Sequence, residues 1–295
     1  MAEYCLTGCS SADLSEAHFK ERSIPYICFQ FEIDGVTYPD DLGKTIPPAE
    51  LYRRMEAGAM TKTSQISVGA YEEFFEGFLK EGRDIIHITL SSGISGTVNS
   101  ARIAANDLKN RYPDRKLYIV DSLGASSGYG LFLDLLADKR DEGYDIDRLY
   151  DWAETNKLRV HHWFFSTDLT YYIRGGRVTK TAGFVGQLLN ICPLLNVDSM
   201  GRLIPREKIR GKNAVIRRTV EKMAEHAENG TGYSGKVFIS NSECLADVNV
   251  MTKLIEERFP GTKGKITVFD IGATIGSHTG PGTVALFFFG DERTL

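Results

Sequence analysis

Asp84-Ile-Ile-His-Ile-Thr-Leu90 runs straight into Ser91-Ser-Gly-Ile-Ser-Gly-Thr97, after which Val98, Ala101, Ala105 and Leu108 recur at helical spacing. An apolar run bounded by turn residues reads as a buried strand, and the apolar period after it as an amphipathic helix. The turn therefore lies where a strand ends and a helix begins. Such a junction leaves backbone N–H groups unpaired and carries partial positive charge. Two glycines let a ligand approach the backbone, and four hydroxyls (Ser91, Ser92, Ser95, Thr97) add donors. The segment reads either as a plain N-cap or as a cradle for a small anion, phosphate or carboxylate.

The same strand-to-helix rhythm extends outward from it. Strands are expected at Tyr4–Thr7, Tyr26–Phe31, Ile85–Leu90 and Leu117–Val120, alternating with helical patterns. That alternation is the mark of an α/β protein with mainly parallel strands. Tyr71, Phe74, Phe75, Phe78 and Leu79 give one helix a wide apolar face suited to core packing. Glu32 to Pro48 is turn-rich and reads as a small excursion from the main sheet, with Pro47-Pro48 opening a helix over Ala49–Ala57. A helix over Ile146–Leu158 closes a first domain, residues 1–158, and a strand Val160–Ser166 opens a second, residues 159–295. There Asp198-Ser-Met-Gly201 reads as a hairpin turn, so the second domain is expected to carry a mixed sheet.

Composition narrows the function. The 295 residues are 42% hydrophobic and 25% charged, as in ordinary globular proteins. A net charge of -4 argues against nucleic acid as the main partner, because phosphate neutralisation needs a basic surface. Met1–Cys9 lacks the basic start and apolar core of a signal peptide, and Val284–Phe289 is too short to span a bilayer. Five cysteines, an odd number without a C-x-x-C pair, point to reduced thiols and a cytoplasmic location.

Several motifs carry polar chemistry. Thr61–Ser67 places hydroxyls at another helix start; Ser67 suits the N-cap, which leaves Thr63 and Ser64 free to face a ligand. Ile173-Arg-Gly-Gly-Arg177 and Lys180 cluster cations around a turn, either as a solvated loop or as a carboxylate or phosphate contact. A basic run from Arg202 to Arg218, with Glu207 its one acid, reads as an exposed face or a docking face for an acidic partner. Gly276-Ser-His-Thr-Gly-Pro-Gly282 reads as a glycine-framed loop that puts His278 in the best position for chemistry. His87 reads as a core residue, and the adjacent His161 and His162 face opposite ways on a strand. Gly43-Lys44-Thr45 ends like a P-loop, but Tyr38 stands at its first glycine; no dinucleotide fingerprint, nucleophile elbow or H-E-x-x-H appears.

Ser10-Ser-Ala-Asp-Leu14, Thr63-Ser-Gln65, Ser91–Ala101, Val120-Asp-Ser122, Ile173–Arg177, Cys192-Pro-Leu-Leu195 and Gly276–Gly282, taken in order, resemble the DegV family. The set spans almost the whole chain. It departs at Cys9-Ser10, where the family often has Asp-Ser, and this puts any role of that position in doubt. The resemblance implies a three-layer parallel-sheet domain followed by a two-layer mixed-sheet domain. It implies a non-enzymatic carrier that holds one long-chain fatty acid between them, such as palmitate, stearate or oleate. The carrier would present the carboxylate to a separate ATP-binding kinase subunit for conversion to acyl phosphate, feeding phospholipid synthesis. No cofactor, metal or nucleic acid is implied, and at most a transient membrane contact.

Carried over by motif, Thr63 and Ser95 bond the carboxylate, His278 lies beside it, Ser92 and Gly96 complete the cradle, and Arg174 and Arg210 serve the kinase encounter or the acyl phosphate. Candidate tunnel-wall residues are Phe165, Ile173, Phe184, Leu188, Leu189 and Ile275, all equally well explained by core packing. Two alternatives differ in class: a serine hydrolase with Ser95 as nucleophile and His278 as base, and a relative of dihydroxyacetone kinase subunits binding a small polar substrate.

Overall fold

The computed structural model describes residues 4–179 and 190–295. The chain opens with β1 (Tyr4–Cys9), α1 (Glu16–Glu21), β2 (Tyr26–Ile27), β3 (Gln30–Ile33), β4 (Val36–Pro39) and α2 (Pro48–Glu56). Next come β5 (Thr61–Ser64), α3 (Val68–Lys80), β6 (Asp84–Thr89), α4 (Thr97–Arg111) and β7 (Leu117–Asp121). Helices α5 (Ser126–Asp141) and α6 (Ile146–Asn156) follow. The remainder holds β8 (Val160–Ser166), α7 (Thr170–Arg174), β9 (Ile191–Val197), β10 (Leu203–Arg210) and α8 (Lys212–His226). It ends with β11 (Val237–Asn241), α9 (Leu245–Arg258), β12 (Ile266–Asp270), α10 (Ala273–Thr279) and β13 (Thr283–Phe289).

These strands make three sheets: a parallel one ordered β2-β1-β6-β7, a six-stranded one ordered β10-β9-β8-β13-β11-β12, and a small one ordered β4-β3-β5. The six-stranded sheet is mixed, since β11 and β12 run parallel while its other neighbours are antiparallel. The fold is the expected α/β class with one parallel and one mixed sheet.

Helix α5 explains how the two large sheets join. Eleven of its sixteen residues are buried, from Ser126 through Ala137. Helices that bury every face sit between layers. Leu6 and Ile88 of the parallel sheet, Phe132 and Leu133 of α5, and Phe164, Phe238 and Phe287 of the mixed sheet share one apolar cluster. A second core, with Trp163, Phe165, Leu194 and Leu286, lies on the far face of the mixed sheet with Val215 and Val220 of α8 and Met251 of α9. Arg293 adds a polar clasp: its buried guanidinium donates to the carbonyls of Leu123, Lys157, Val197 and Asp198.

Three local readings change. The excursion is larger than 32–48, because Tyr26–Phe31 breaks after Ile27 and Thr61–Ser64 returns as the third strand of the small sheet. Gly276–Gly282 is not a loop throughout, since His278 lies in the last turn of α10. Asp40, remote in sequence, caps this helix by accepting from the Ala273 and Thr274 N–H groups at 3.3 and 3.1 Å. Gly276 is needed for packing, as a Cβ there would stand 2.4 Å from the Tyr52 hydroxyl. Three of the seven cations in the basic run meet acids: Arg218 meets Glu207, Glu221 and Glu225, Lys212 meets Asp247, and Arg202 meets Asp198.

Candidate functional site

The Ser91–Thr97 turn is divided among several tasks. Ser91 donates to the Gly201 carbonyl at 2.8 Å, which seats the turn on the β9–β10 hairpin. Thr97 points inward and bonds the Tyr71 hydroxyl at 3.0 Å. Ser92 is exposed, and its N–H is held by Asp121, which also accepts from Leu123 N–H. Of the four hydroxyls only that of Ser95, with Gly96 beside it, reaches a cavity. The four-hydroxyl cradle is therefore corrected to one hydroxyl, because consecutive turn residues point in different directions.

That cavity lies between the turn, β5, α10 and the α5-facing side of the mixed sheet, and has a volume of about 220 Å³. Its polar mouth is formed by Thr63, Gln65, Ser95, Arg177 and His278. Its interior is walled by Phe29, Leu90, Ile94, Phe164, Ile275 and Phe287. Gly96 lets β5 come close, since a Cβ there would meet the Gln65 side-chain oxygen at 2.4 Å.

The mouth is built around one short hydrogen bond. Thr63 Oγ1 lies 2.7 Å from His278 Nε2, while His278 Nδ1 is buried without a partner. Burial, with the nearby Arg177 charge, pushes the imidazole pKa down to about 4, so His278 is neutral at pH 7. A buried orphan N–H costs more than an orphan lone pair. The proton therefore belongs on Nε2, which donates to Thr63 Oγ1. The Thr63 hydroxyl proton is then free to point into the cavity. Arg177 is half-buried at the same mouth and donates to the Gly175 carbonyl at 2.6 Å; no described carboxylate pairs with it. A neutral imidazole, two hydroxyls and an unpaired guanidinium form a receptor for an anion, with an apolar chamber behind it.

This arrangement does not make a nucleophile. His278 Nε2 is engaged by Thr63 rather than Ser95, and Ser95 Oγ accepts the Thr97 N–H at 3.3 Å. No described carboxylate orients His278 Nδ1, so the base lacks the third group of a triad.

The other expected positions sort by geometry. Ile275 lines the cavity, and Ile173 packs against the adjoining core instead. Phe165 does not line it: alternate strand residues face opposite ways, so Phe165 enters the α8–α9 core and Phe164 takes the wall. Phe184, Leu188 and Leu189 lie outside the described residues. Arg174 is exposed at the end of α7, with Met60 Sδ 3.4 Å away, and Arg210 is exposed at the end of β10; neither lines the cavity. His162, read only as facing away from His161, is a cavity residue that local sequence does not reveal.

Among the described residues, His161, His226 and Asp291 form the one cluster with metal-ligand atoms in reach of each other. The two imidazoles stack at 4.8 Å and 18°, so their lone pairs run nearly side by side rather than converging on an ion. No helix of the described chain is long and apolar enough to cross a membrane.

Comparison with known proteins identifies the family and the fold. A DegV domain-containing protein of Clostridium perfringens is 34% identical over 99% of each chain. A DegV lipid-binding protein of Thermotoga maritima superposes with a TM-score of 0.85 at 27% identity, covering 100% of both chains. A second T. maritima protein, described as revealing a fatty-acid-binding function, has a TM-score of 0.80 at 25% identity over 99% of this chain and 100% of its own. The fold is shared as well by the Streptococcus pneumoniae fatty acid kinase B3 protein loaded with linoleic acid, at 20% identity, TM-score 0.83 and coverage of 99% and 100%. The family model described as "Uncharacterised protein, DegV family" matches residues 9–291, and the chain belongs to the DegV family.

Proposed function

We propose that this protein binds one long-chain fatty acid and presents its carboxylate to a separate ATP-dependent kinase, without catalysing the transfer itself. The Thr63–His278 pair carries the reading, because it aims a hydroxyl donor at the mouth of an apolar cavity. Ser95 supplies a second donor and Arg177 the countercharge, so a carboxylate there is neither unpaired nor undersupplied with donors. The acyl tail needs only apolar wall. Burying about fifteen methylenes at ~0.8 kcal/mol each contributes roughly 12 kcal/mol before the entropy of binding is subtracted. Tail burial dominates affinity and the mouth fixes orientation. Fatty-acid binding by the T. maritima relative supports this reading. The exposed Arg174 and Arg210 are the cations through which the kinase or the acyl phosphate would be met.

Native mass spectrometry of gently purified protein is expected to show one fatty acid per chain. Thr63→Ala combined with Ser95→Ala is expected to weaken retention about a hundredfold, two charge-assisted hydrogen bonds being worth roughly 3 kcal/mol together. A protein that neither carries nor takes up palmitate or oleate would refute the assignment. Acyl phosphate formation by an added bacterial fatty acid kinase subunit and ATP tests the presenting role.

A further inference from the structure

Away from its polar mouth the cavity is lined by a histidine, His162, in one row with Val197 and Leu203. Strands β8 and β13 form its floor, with His162 opposite Phe287, Phe164 opposite Ala285 and Ser166 opposite Thr283. Thr283 and Tyr172 share a hydrogen bond at 3.1 Å on the mouth side, just after the helix that carries His278. Four residues along β8 separate Ser166 from His162, about 13 Å at ~3.3 Å per residue. At the far end of this stretch His162 lines the cavity.

His162 differs from the other wall residues in how it is held. Its Nδ1 lies 3.0 Å from the Val160 carbonyl, and its Nε2 lies 3.2 Å from the Ala125 N–H. The amide can only donate and the carbonyl can only accept, so the tautomer is fixed: Nδ1 carries the proton and Nε2 is the acceptor. Both polar atoms are thus used on protein, and the ring offers the cavity only carbon edge and π surface. Phe287 braces it edge-on at 5.3 Å and 83°. Behind it Gly124 and Gly128 leave no spare room, since a Cβ on Gly128 would stand 2.4 Å from Nε2 and 2.5 Å from the Phe287 ring. A leucine or methionine wall could swing aside, whereas a doubly hydrogen-bonded ring braced on three sides cannot.

We propose that His162 is a rigid end stop that sets the longest acyl chain the cavity admits, an inference that rests on the fatty-acid reading above. Its position relative to Gly128 gives the stop two handles of opposite sign. His162→Ala removes the stop. Gly128→Ala presses the ring and Phe287 into the cavity from behind without touching the ligand.

The test equilibrates delipidated protein with an equimolar mixture of palmitate and stearate and reads the bound ratio by native mass spectrometry. With two more methylenes buried, the stearate-to-palmitate ratio is expected to rise about fifteenfold in His162→Ala. It is expected to fall by a similar factor in Gly128→Ala. Phe165→Leu, on the other face of the sheet, is expected to leave the ratio unchanged. His162→Gln keeps an acceptor for the Ala125 N–H and replaces His162→Ala if that variant does not fold; its flexible side chain should bring the ratio toward one. Folded variants that keep the wild-type ratio overturn the stop while leaving the fatty-acid reading intact. A wild type that binds neither acid overturns that reading instead.

Discussion

The two faces of the mixed sheet are made from the same strands and serve opposite ends. On β8, Trp163 and Phe165 face α8 and α9 in a closed core, while His162 and Phe164 face the cavity. On β13, Val284, Leu286 and Phe288 join the closed core, and Ala285 and Phe287 turn to the cavity. A period of two thus separates residues that fill the closed core from residues that shape the cavity. Burial alone does not distinguish them, because both sets are almost completely enclosed.

The largest expected effect breaks the two faces apart. Phe165→Ala empties a tightly packed site and should cost about 3–5 kcal/mol, read as the loss in urea-unfolding free energy. Phe164→Ala borders a cavity that already exists, so it should cost clearly less stability yet change the retained lipid. Equal costs with unaltered lipid for both would end the distinction.

Acid provides the next effect, and it acts on both faces. Burial holds the pKa of His87 down to about 3 and those of His161 and His278 down to about 4, while His162 is held well below the usual imidazole range. These folded values lie below the unfolded one, so their stability is complete above pH 6.5 and is lost as pH falls through about 4. Each proton taken up on unfolding steepens the loss by up to about 1.4 kcal/mol per pH unit. His87→Gln should make the fall shallower. Asp13 and Asp40 act with the opposite sign: burial raises both above the usual carboxylate range, so their contribution is complete below about 3.8 and declines as pH rises. Urea titrations at pH 4, 5, 6 and 7 read the sum, and a stability that does not fall below pH 6.5 would contradict neutral burial of these imidazoles.

The smallest effect lies on neither face. Arg53 pairs with Glu50 on the exposed side of α2, with 68% and 41% of the two side chains in solvent. Arg53→Ala should leave the urea-unfolding midpoint unchanged, and a measurable shift would give the surface a part in stability that packing does not.

The sequence makes much of this legible where local pattern decides the outcome. Ile266–Asp270, Thr283–Phe289 and Val160–Ser166 are strands with the bounds their apolar runs suggest. Thr63, Ser95 and His278 meet at one mouth, as an ordered motif set implies. Which face of β8 lines the cavity is not legible, because Val160-His-His-Trp-Phe-Phe-Ser166 is buried on both sides and shows no apolar alternation. The helical form of Ala273–Thr279 depends on Asp40, more than two hundred residues away in sequence. That Arg177, rather than Arg174, turns to the cavity is a matter of the fold of one short turn and is not written in the Arg-Gly-Gly-Arg pattern.

The central place of β13 has a consequence for synthesis. It sits between β8 and β11 in the sheet yet follows every other described strand along the chain. Domains consolidate from the N-terminal side as they leave the ribosome. Up to the emergence of Thr283, the nascent protein has its hydroxyl-bearing turn and its imidazole but only the β8 half of the floor between them. The cavity is thereby completed only once translation has passed β13.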